Sequence, residues 1–535
     1  MPAGYNEQRL KEETEAYWEE LRSNAENPQL VWRKYVTGLL PQEMEAIRVA
    51  GKSPPEDEDR CLTLVLLVGH SIEPLLQSVW AYRPQELLLI LNEWYGDEAG
   101  EDFAIGLCDL LSRLPAERQI PKDCIHQEVV QPTPANVFRA LVERVRDREK
   151  HVRGREKVVV DITGAKKSMV TGAFLYAAYA NVPISYVDFN DKTYNTGYGK
   201  PYGYDSHIHL LENPYAVFAL RDWERVHQLY NSYHFREAGK LLEEEIIPVM
   251  EEPYFKTEHI LAAERLVTVL HCYELWDSGD IHAAREQAKS VRSPGIEFNA
   301  PTAVGVLGAV WPHAPDKLAA QEAADELLKG CKSLTRGDGV PRNSIFCCDD
   351  WLLVYAEDEI ERIGRLIDYN EDYRSALLRA ASLNEMLLKA RLSHLWHDEK
   401  LVVPQGQSLF SFDALVERAA AGRMLQVLMG KQRVPLVHGT KVSLAPDVEK
   451  LNSFWDGCPI DLETVIELRN KTVHTYLSVP RSVAEGAADV AQRNLDDYRE
   501  HRAVGPLPDV VVHALEWREL CELCGADAFL PPPTY

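Results

Sequence analysis

Five short apolar runs dominate the first third of the chain: LTLVLLV (62–68), ELLLILN (86–92), IHQEVV (125–130), KVVVDIT (157–163) and PISYVDF (183–189). Each is the length of a strand, and most are too uniformly apolar for a strand with one wet face. The stretches between them, around 73–82, 101–114, 134–150 and 168–180, carry apolar residues at helical spacing. Strand and helix in alternation, with the strands buried on both sides, predict a doubly wound α/β domain whose parallel sheet is covered on both faces.

The remaining residues are organised differently, and 535 of them exceed what one core can hold. Residues 1–58 read as an acidic, helix-prone extension, closed by the linker-like GKSPPEDEDR. The α/β domain is expected over 59–213. From Pro214 the strand signal fades, and YNSYHFREAGKLLEEEI and YELWDSGDIHAAREQAKSV resemble helical-hairpin repeats, so 214–345 reads as a helical connector. A long charged helix then opens a region, 346–535, expected to be all helical apart from the breaks VPQGQSLFS and VHGTKVSLAPD.

Charge and cysteine content narrow the function classes. With 58 basic and 83 acidic side chains the net charge is −25, which repels nucleic acid at long range, so any RNA contact has to be local. The first residues lack the apolar core of a secretory signal, and no run approaches the roughly 18 apolar residues of a membrane span. A cytoplasmic protein is expected, whose ten scattered cysteines stay reduced. Cys521 and Cys524 form one C-x-x-C, readable as half a zinc site, a redox pair or two thiols on the last helix.

In an open α/β sheet, ligands sit beyond the carboxyl ends of the strands. Two loops there draw notice. The first is Gly69, His70 and Ser71 after the first strand. The second is DITGAKKSM, where a strand ends at Asp161 and a helix rich in small residues (Gly172, Ala173, Ala177, Ala178) begins; Gly164 permits a tight turn, Thr163 and Ser168 offer hydroxyls, and Lys166 and Lys167 flank exposed backbone N–H groups that can cradle an anion. The bland alternative is an ordinary turn with solvated lysines.

DITGAKKSM resembles the D-I-T-G-G-T-K-x-M signature of CARF domains, the cyclic-oligoadenylate sensors of type III CRISPR systems, and VGHSIEPLL resembles their other signature loop. The likeness runs from about Leu62 to Pro214. It implies a homodimer holding a ring of linked adenylates, with Gly69, His70, Ser71, Thr163, Gly164, Ala165, Lys166, Lys167 and Met169 as ligand-binding residues. Two positions depart from the signature: Ala165 replaces the second glycine, and Lys166 the following threonine. An alanine methyl there could crowd an approaching phosphate.

Toward the C-terminus, ETVIELRNKTVHTYL places Arg469, Asn470 and His474 on a helix. Spacing alone says little, because Arg146 with His151, Arg221 with His227, Arg391 with His397 and Arg433 with His438 are separated similarly. LRNKTVH, however, resembles the motif of HEPN ribonucleases, which implies an all-helical HEPN domain cleaving single-stranded RNA without metal or cofactor and leaving a 2′,3′-cyclic phosphate and a 5′-hydroxyl. In that role His474 moves protons, Arg469 holds the phosphate and Asn470 orients them. Asn470 and His474 share a helix face, whereas Arg469 lies roughly 140° away, so a second copy of the motif from a dimer partner would complete the site.

Three further readings stay open. The helical region could bind a partner and cleave nothing. His207 and His209, on one strand face, could ligate a metal or merely pack. Tyrosines of YNTGYGKPYGYD (194–205) could stack on bases or belong to a plain loop.

Overall fold

The computed structural model describes residues 7–25, 27–54, 63–96, 106–149, 158–251, 254–291, 298–310, 345–397, 453–455, 458–460, 462–475, 477–505, 507 and 510–527. They form two compact units, Met1–Arg221 and Asp222–Tyr535.

The first unit is built on the five anticipated strands, β1 (Thr63–Leu67), β2 (Glu86–Asn92), β3 (Ile125–Val130), β4 (Val158–Asp161) and β5 (Ile184–Asp188). A two-residue pair, β6 (Tyr194–Asn195) and β7 (Lys200–Pro201), follows, and β8 (His207–Leu211) completes a six-stranded sheet of order β3-β2-β1-β4-β5-β8. The sheet is not parallel throughout: β8 runs antiparallel to β5, pairing His207 with Asp188 and His209 with Tyr186. The cause is the connection. Residues 189–206 make a small hairpin and turns in place of a crossover helix, so the chain re-enters the sheet from the end at which it left.

Alternate strand residues bury two cores. Leu64, Leu66, Leu87 and Leu89 face helices α1 (Glu7–Ser23), α2 (Leu40–Val49) and α3 (Ile72–Tyr82). Val65, Leu67, Leu88 and Ile90 face α4 (Pro134–Glu149) and α5 (Lys167–Ala180). Each such leucine contributes roughly 2 kcal/mol by leaving water. The first fifty residues thus share the core of the sheet: α1 buries Leu10, Thr14, Tyr17 and Trp18 at helical spacing. Of the small residues on α5, Ala173, Ala177 and Ala178 lie in the core, while Gly172 serves a neighbouring helix, since a methyl there would meet the Pro134 carbonyl oxygen at 2.4 Å.

One buried acid ties α2 to this assembly. Tyr35 Oη and Gln77 Nε2 donate to Glu43 Oε2 at 2.7 and 3.2 Å, and a side chain on Gly203 would collide with the same carboxylate. Burial pushes the Glu43 pKa up to about 8, against the pull of those two hydrogen bonds. Between the ordinary value of 4.5 and about 8 the folded protein therefore holds a proton that the unfolded chain has released. Stability falls as pH rises through that window, by up to about 1.4 kcal/mol per unit. Glu43→Gln is expected to flatten this slope, so that urea midpoints measured near pH 5 and near pH 8 draw together.

The second unit is helical, as its sequence suggests. Its main elements are α6 (Thr257–Ser278), α7 (Asp349–Asp368), α8 (Tyr373–His397), α9 (Leu462–His474), α10 (Arg481–Arg502) and α11 (Trp517–Cys524). The hairpin expected in YELWDSGDIHAAREQAKSV forms: α6 ends at Gly279, whose φ is +93°, and Asp280 caps the helix Ile281–Ser290 by accepting from Ala283 N. Leu352, Leu377, Leu387, Val465, Val490 and Tyr498 anchor the core of α7 to α10. Among the described residues the expectation of helices alone fails where β9 (Ser453–Trp455) pairs antiparallel with β10 (Cys458–Ile460). Three residues are too few to display a strand's two-residue period.

Candidate functional site

The two glycine-bearing loops of the first unit meet. They leave the carboxyl ends of β1 and β4, which are hydrogen-bonded neighbours, at the point where strand order turns from β1-β2-β3 on one side to β4-β5 on the other. Such a reversal leaves a crevice, because the two connections depart to opposite faces. Backbone lies on backbone here: an added Cβ on Gly69 would sit 2.7 Å from Ala165 N, and one on Gly164 would sit 2.0 Å from the Leu67 carbonyl oxygen. Both glycines are required by that approach.

Ala165 has φ +70°. Alanine in this left-handed region costs about 1 kcal/mol relative to glycine, and the turn is kept nonetheless. Lys166 and Lys167 follow, both exposed, at the start of α5, whose first N–H groups receive no side-chain cap. His70 and Ser71 are exposed across the crevice. Thr163, Ser168 and Met169 have partners within the fold. Thr163 Oγ1 accepts from Val187 N at 2.8 Å, and the Ser168 hydroxyl donates to the Pro132 carbonyl at 2.6 Å, so the two hydroxyls are used within the fold. Met169 is fully buried in the core.

Asp161 organises the loop from beneath. Its Oδ2 accepts from Ser78 Oγ on α3 (2.7 Å) and Ser185 Oγ on β5 (2.9 Å), and its Oδ1 from Thr163 N (3.0 Å). Complete burial raises its pKa, and these hydrogen bonds offset part of the rise.

An aromatic residue absent from the sequence reading stands beside the crevice. Trp94, just past β2, has its backbone N–H held by Asn92 Oδ1 at 2.9 Å, and His70 meets its ring edge-on at 5.0 Å. An asparagine ending an apolar strand and followed by an aromatic was the available signal. The Gly/Tyr-rich segment divides. Tyr198 and Tyr202 pack on Trp18 of α1 at 5.1 and 4.9 Å, and Tyr198 Oη donates to Glu19, so these rings hold the segment to α1, whereas Tyr194 is exposed. His207 and His209 stand 4.5 Å apart on β8 with no third His, Cys, Asp or Glu to complete a metal set among the described residues.

In the second unit, α9 buries Val465 and Thr472 and is tied to α8 by Arg374, which donates to the Thr472 carbonyl at 2.9 Å. Its outer side carries Asn470 and His474, both exposed, whereas Arg469 is half-buried and leaves the helix near the buried side. The guanidinium bends round the helix so that Arg469 Nη1 donates to Asn470 Oδ1 at 3.1 Å. That contact brings the arginine toward the face shared by Asn470 and His474, a gap that an ideal helix alone leaves open. Of the similarly spaced pairs, Arg221 covers the rings of Tyr179 and Tyr215 while His227 lies against Trp517, so each is used in packing. Arg433 and His438 lie outside the described residues.

Cys521 and Cys524 are buried free thiols on α11, and burial pushes both up to about 12, well away from thiolate chemistry. Among the described residues no helix is long and apolar enough to cross a membrane.

No family model matches the chain, and no curated protein does. Among solved structures, Csm6 from Enterococcus italicus bound to cyclic hexa-2′-fluoro-hexa-dAMP aligns over 88% of this chain and 99% of its own, at 11% identity and a TM-score of 0.35. Can2 from Sulfobacillus thermosulfidooxidans in complex with cyclic tetra-adenylate aligns over 52% of this chain and 67% of its own, at 13% identity and a TM-score of 0.19. At these scores and identities, neither alignment says what this chain binds or does.

Proposed function

We propose that the chain is a ribonuclease of type III CRISPR antiviral defence, switched on by a cyclic oligoadenylate that binds its N-terminal unit and cleaving single-stranded RNA, without metal, in its C-terminal unit. The observation that carries the reading is the meeting of the VGHS and DITGAKK loops, backbone against backbone, at the strand-order reversal with Lys166 and Lys167 exposed beside them. It supports an anion-bearing ligand at the place where an open sheet holds one.

The exposed Asn470 and His474 on one helix face, with Arg469 bonded to Asn470, support the nuclease half. His474 of one copy takes the proton of the RNA 2′-hydroxyl as its oxygen attacks the adjacent phosphorus. His474 of a second copy gives a proton to the departing 5′-oxygen, and the arginines offset charge on the phosphate oxygens. The products are a 2′,3′-cyclic phosphate and a 5′-hydroxyl. Activation requires the ligand to bind the cleaving arrangement more tightly than the resting one.

Labelled single-stranded RNA incubated with the full chain, EDTA and cyclic oligoadenylates of three to six units is expected to be cut by one ring size far faster than without ligand. Ligand binding with no cleavage under any ring would leave a sensor that acts through a partner. Cleavage abolished by EDTA would overturn the metal-free chemistry.

A further inference from the structure

Three large aromatic rings stand exposed along the carboxyl edge of the sheet: Trp94 (38%), Phe189 (36%) and Tyr194 (37%). Trp94 follows β2; Phe189 follows β5, with its N–H held by Asp188 Oδ1 at 2.9 Å and its ring 5.4 Å from that of Tyr194. In the order β2-β1-β4-β5 these two flanks are three strand spacings apart, roughly 14 Å. Between them lie the glycine loops with Lys166 and Lys167. On its far side Tyr194 walls an open cleft of about 1010 Å³ shared with Lys11, Lys192, Asn195 and Tyr202.

Exposed rings alternating with exposed lysines are how single-stranded nucleic acid is held: bases stack and phosphates meet positive charge. Inorganic phosphate would engage the lysines alone, and a mononucleotide one flank only. A span of roughly 14 Å suits a ligand with bases on either side of a phosphate run. On a chain of net charge −25, long-range attraction contributes nothing, so stacking has to supply much of the affinity.

We propose that Trp94 and Tyr194 are base-stacking residues on opposite flanks of the phosphate cradle, making the site a reader of oligonucleotides at least two nucleotides long. This rests on the sensor function proposed above and deepens it.

The test is calorimetric titration of the full chain with cyclic oligoadenylates of three to six units and with the matching rings lacking bases. Trp94→Ala and Tyr194→Ala are each expected to weaken the best adenylate ring by about tenfold. Both should leave the weaker binding of the base-free ring unchanged, and Trp94→Phe should restore most of the loss. Thermal melts of the variants check that they fold. Equal losses on the base-free ring, or no loss on either, would overturn the stacking role while leaving the sensor intact. A wild-type chain that binds no ring at all would remove the sensor reading and this inference together.

Discussion

Replacing His474 with alanine is expected to lower ligand-stimulated RNA cleavage by about a thousandfold, within the range that positioned acid–base groups supply. In the proposed mechanism two copies of the residue act in each event, so both proton transfers are lost together. Arg469→Ala removes charge stabilisation at the phosphate and should cost on the order of a hundredfold or more. Arg469→Lys should not restore it, because an ammonium lacks the planar fork that could hold a phosphate while keeping the bond to Asn470. Cyclic oligoadenylate should bind all three variants as it binds the wild type, since the substituted side chains belong to the other compact unit. His474 is exposed at the end of α9, so its loss leaves no cavity, and melting temperature should hold. Full cleavage by purified His474→Ala would sink the assignment.

Where burial and residue type agree, the sequence was enough to find the element. All five runs are strands, and helices follow at 72–82, 134–149 and 167–180 within a residue or two of expectation, because β1, β2 and β4 are buried on both faces and have few polar positions to blur them, although β3 is a half-exposed exception. The edge strand HIHLL was legible only as a face carrying two histidines. Its partner and direction depend on the hairpin before it, which is a matter of turn geometry. The β9–β10 pair left one trace, an Asp456–Gly457 step between two three-residue runs, a hairpin signal easily lost among helices.

The candidate sites show the same division. Sequence motifs located both loops and the helix of Arg469, but not what each side chain does there. Thr163 and Ser168 carry hydroxyls suited to a ligand, yet the fold uses both, one beneath Val187 N and one on Pro132. Met169 belongs to the motif through packing. Asp161 owes its role to hydroxyls distant in sequence, so periodicity could not reveal it.

Asp161 provides the sharpest test of how that loop is held. Alanine there would leave Ser78 Oγ, Ser185 Oγ and Thr163 N facing a small void in a fully buried place. Stranded polar groups of this kind cost about 1–3 kcal/mol each, and the relief of no longer burying a carboxyl offsets part of the sum, giving a net loss of roughly 3 kcal/mol. For a unit of this size that lowers the melting temperature by roughly 10 °C. Asparagine should behave otherwise. Its Oδ1 can keep the Thr163 N–H, and its amide can donate to the two hydroxyls, which turn to accept. Burial raises the Asp161 pKa, so the wild type loses stability as pH climbs from the ordinary carboxyl range toward that raised value, where the folded protein keeps a proton that the unfolded chain has released. Asp161→Asn is neutral at every pH and should escape that loss, remaining within about 1 kcal/mol of the wild type near neutrality. The loop conformation at Gly164 and Ala165 depends on the same three hydrogen bonds. Ligand affinity should therefore follow stability, retained in the asparagine variant and much reduced in the alanine variant, as measured by titration below the melting point of both. If alanine melted with the wild type, Asp161 would have no part in holding the loop.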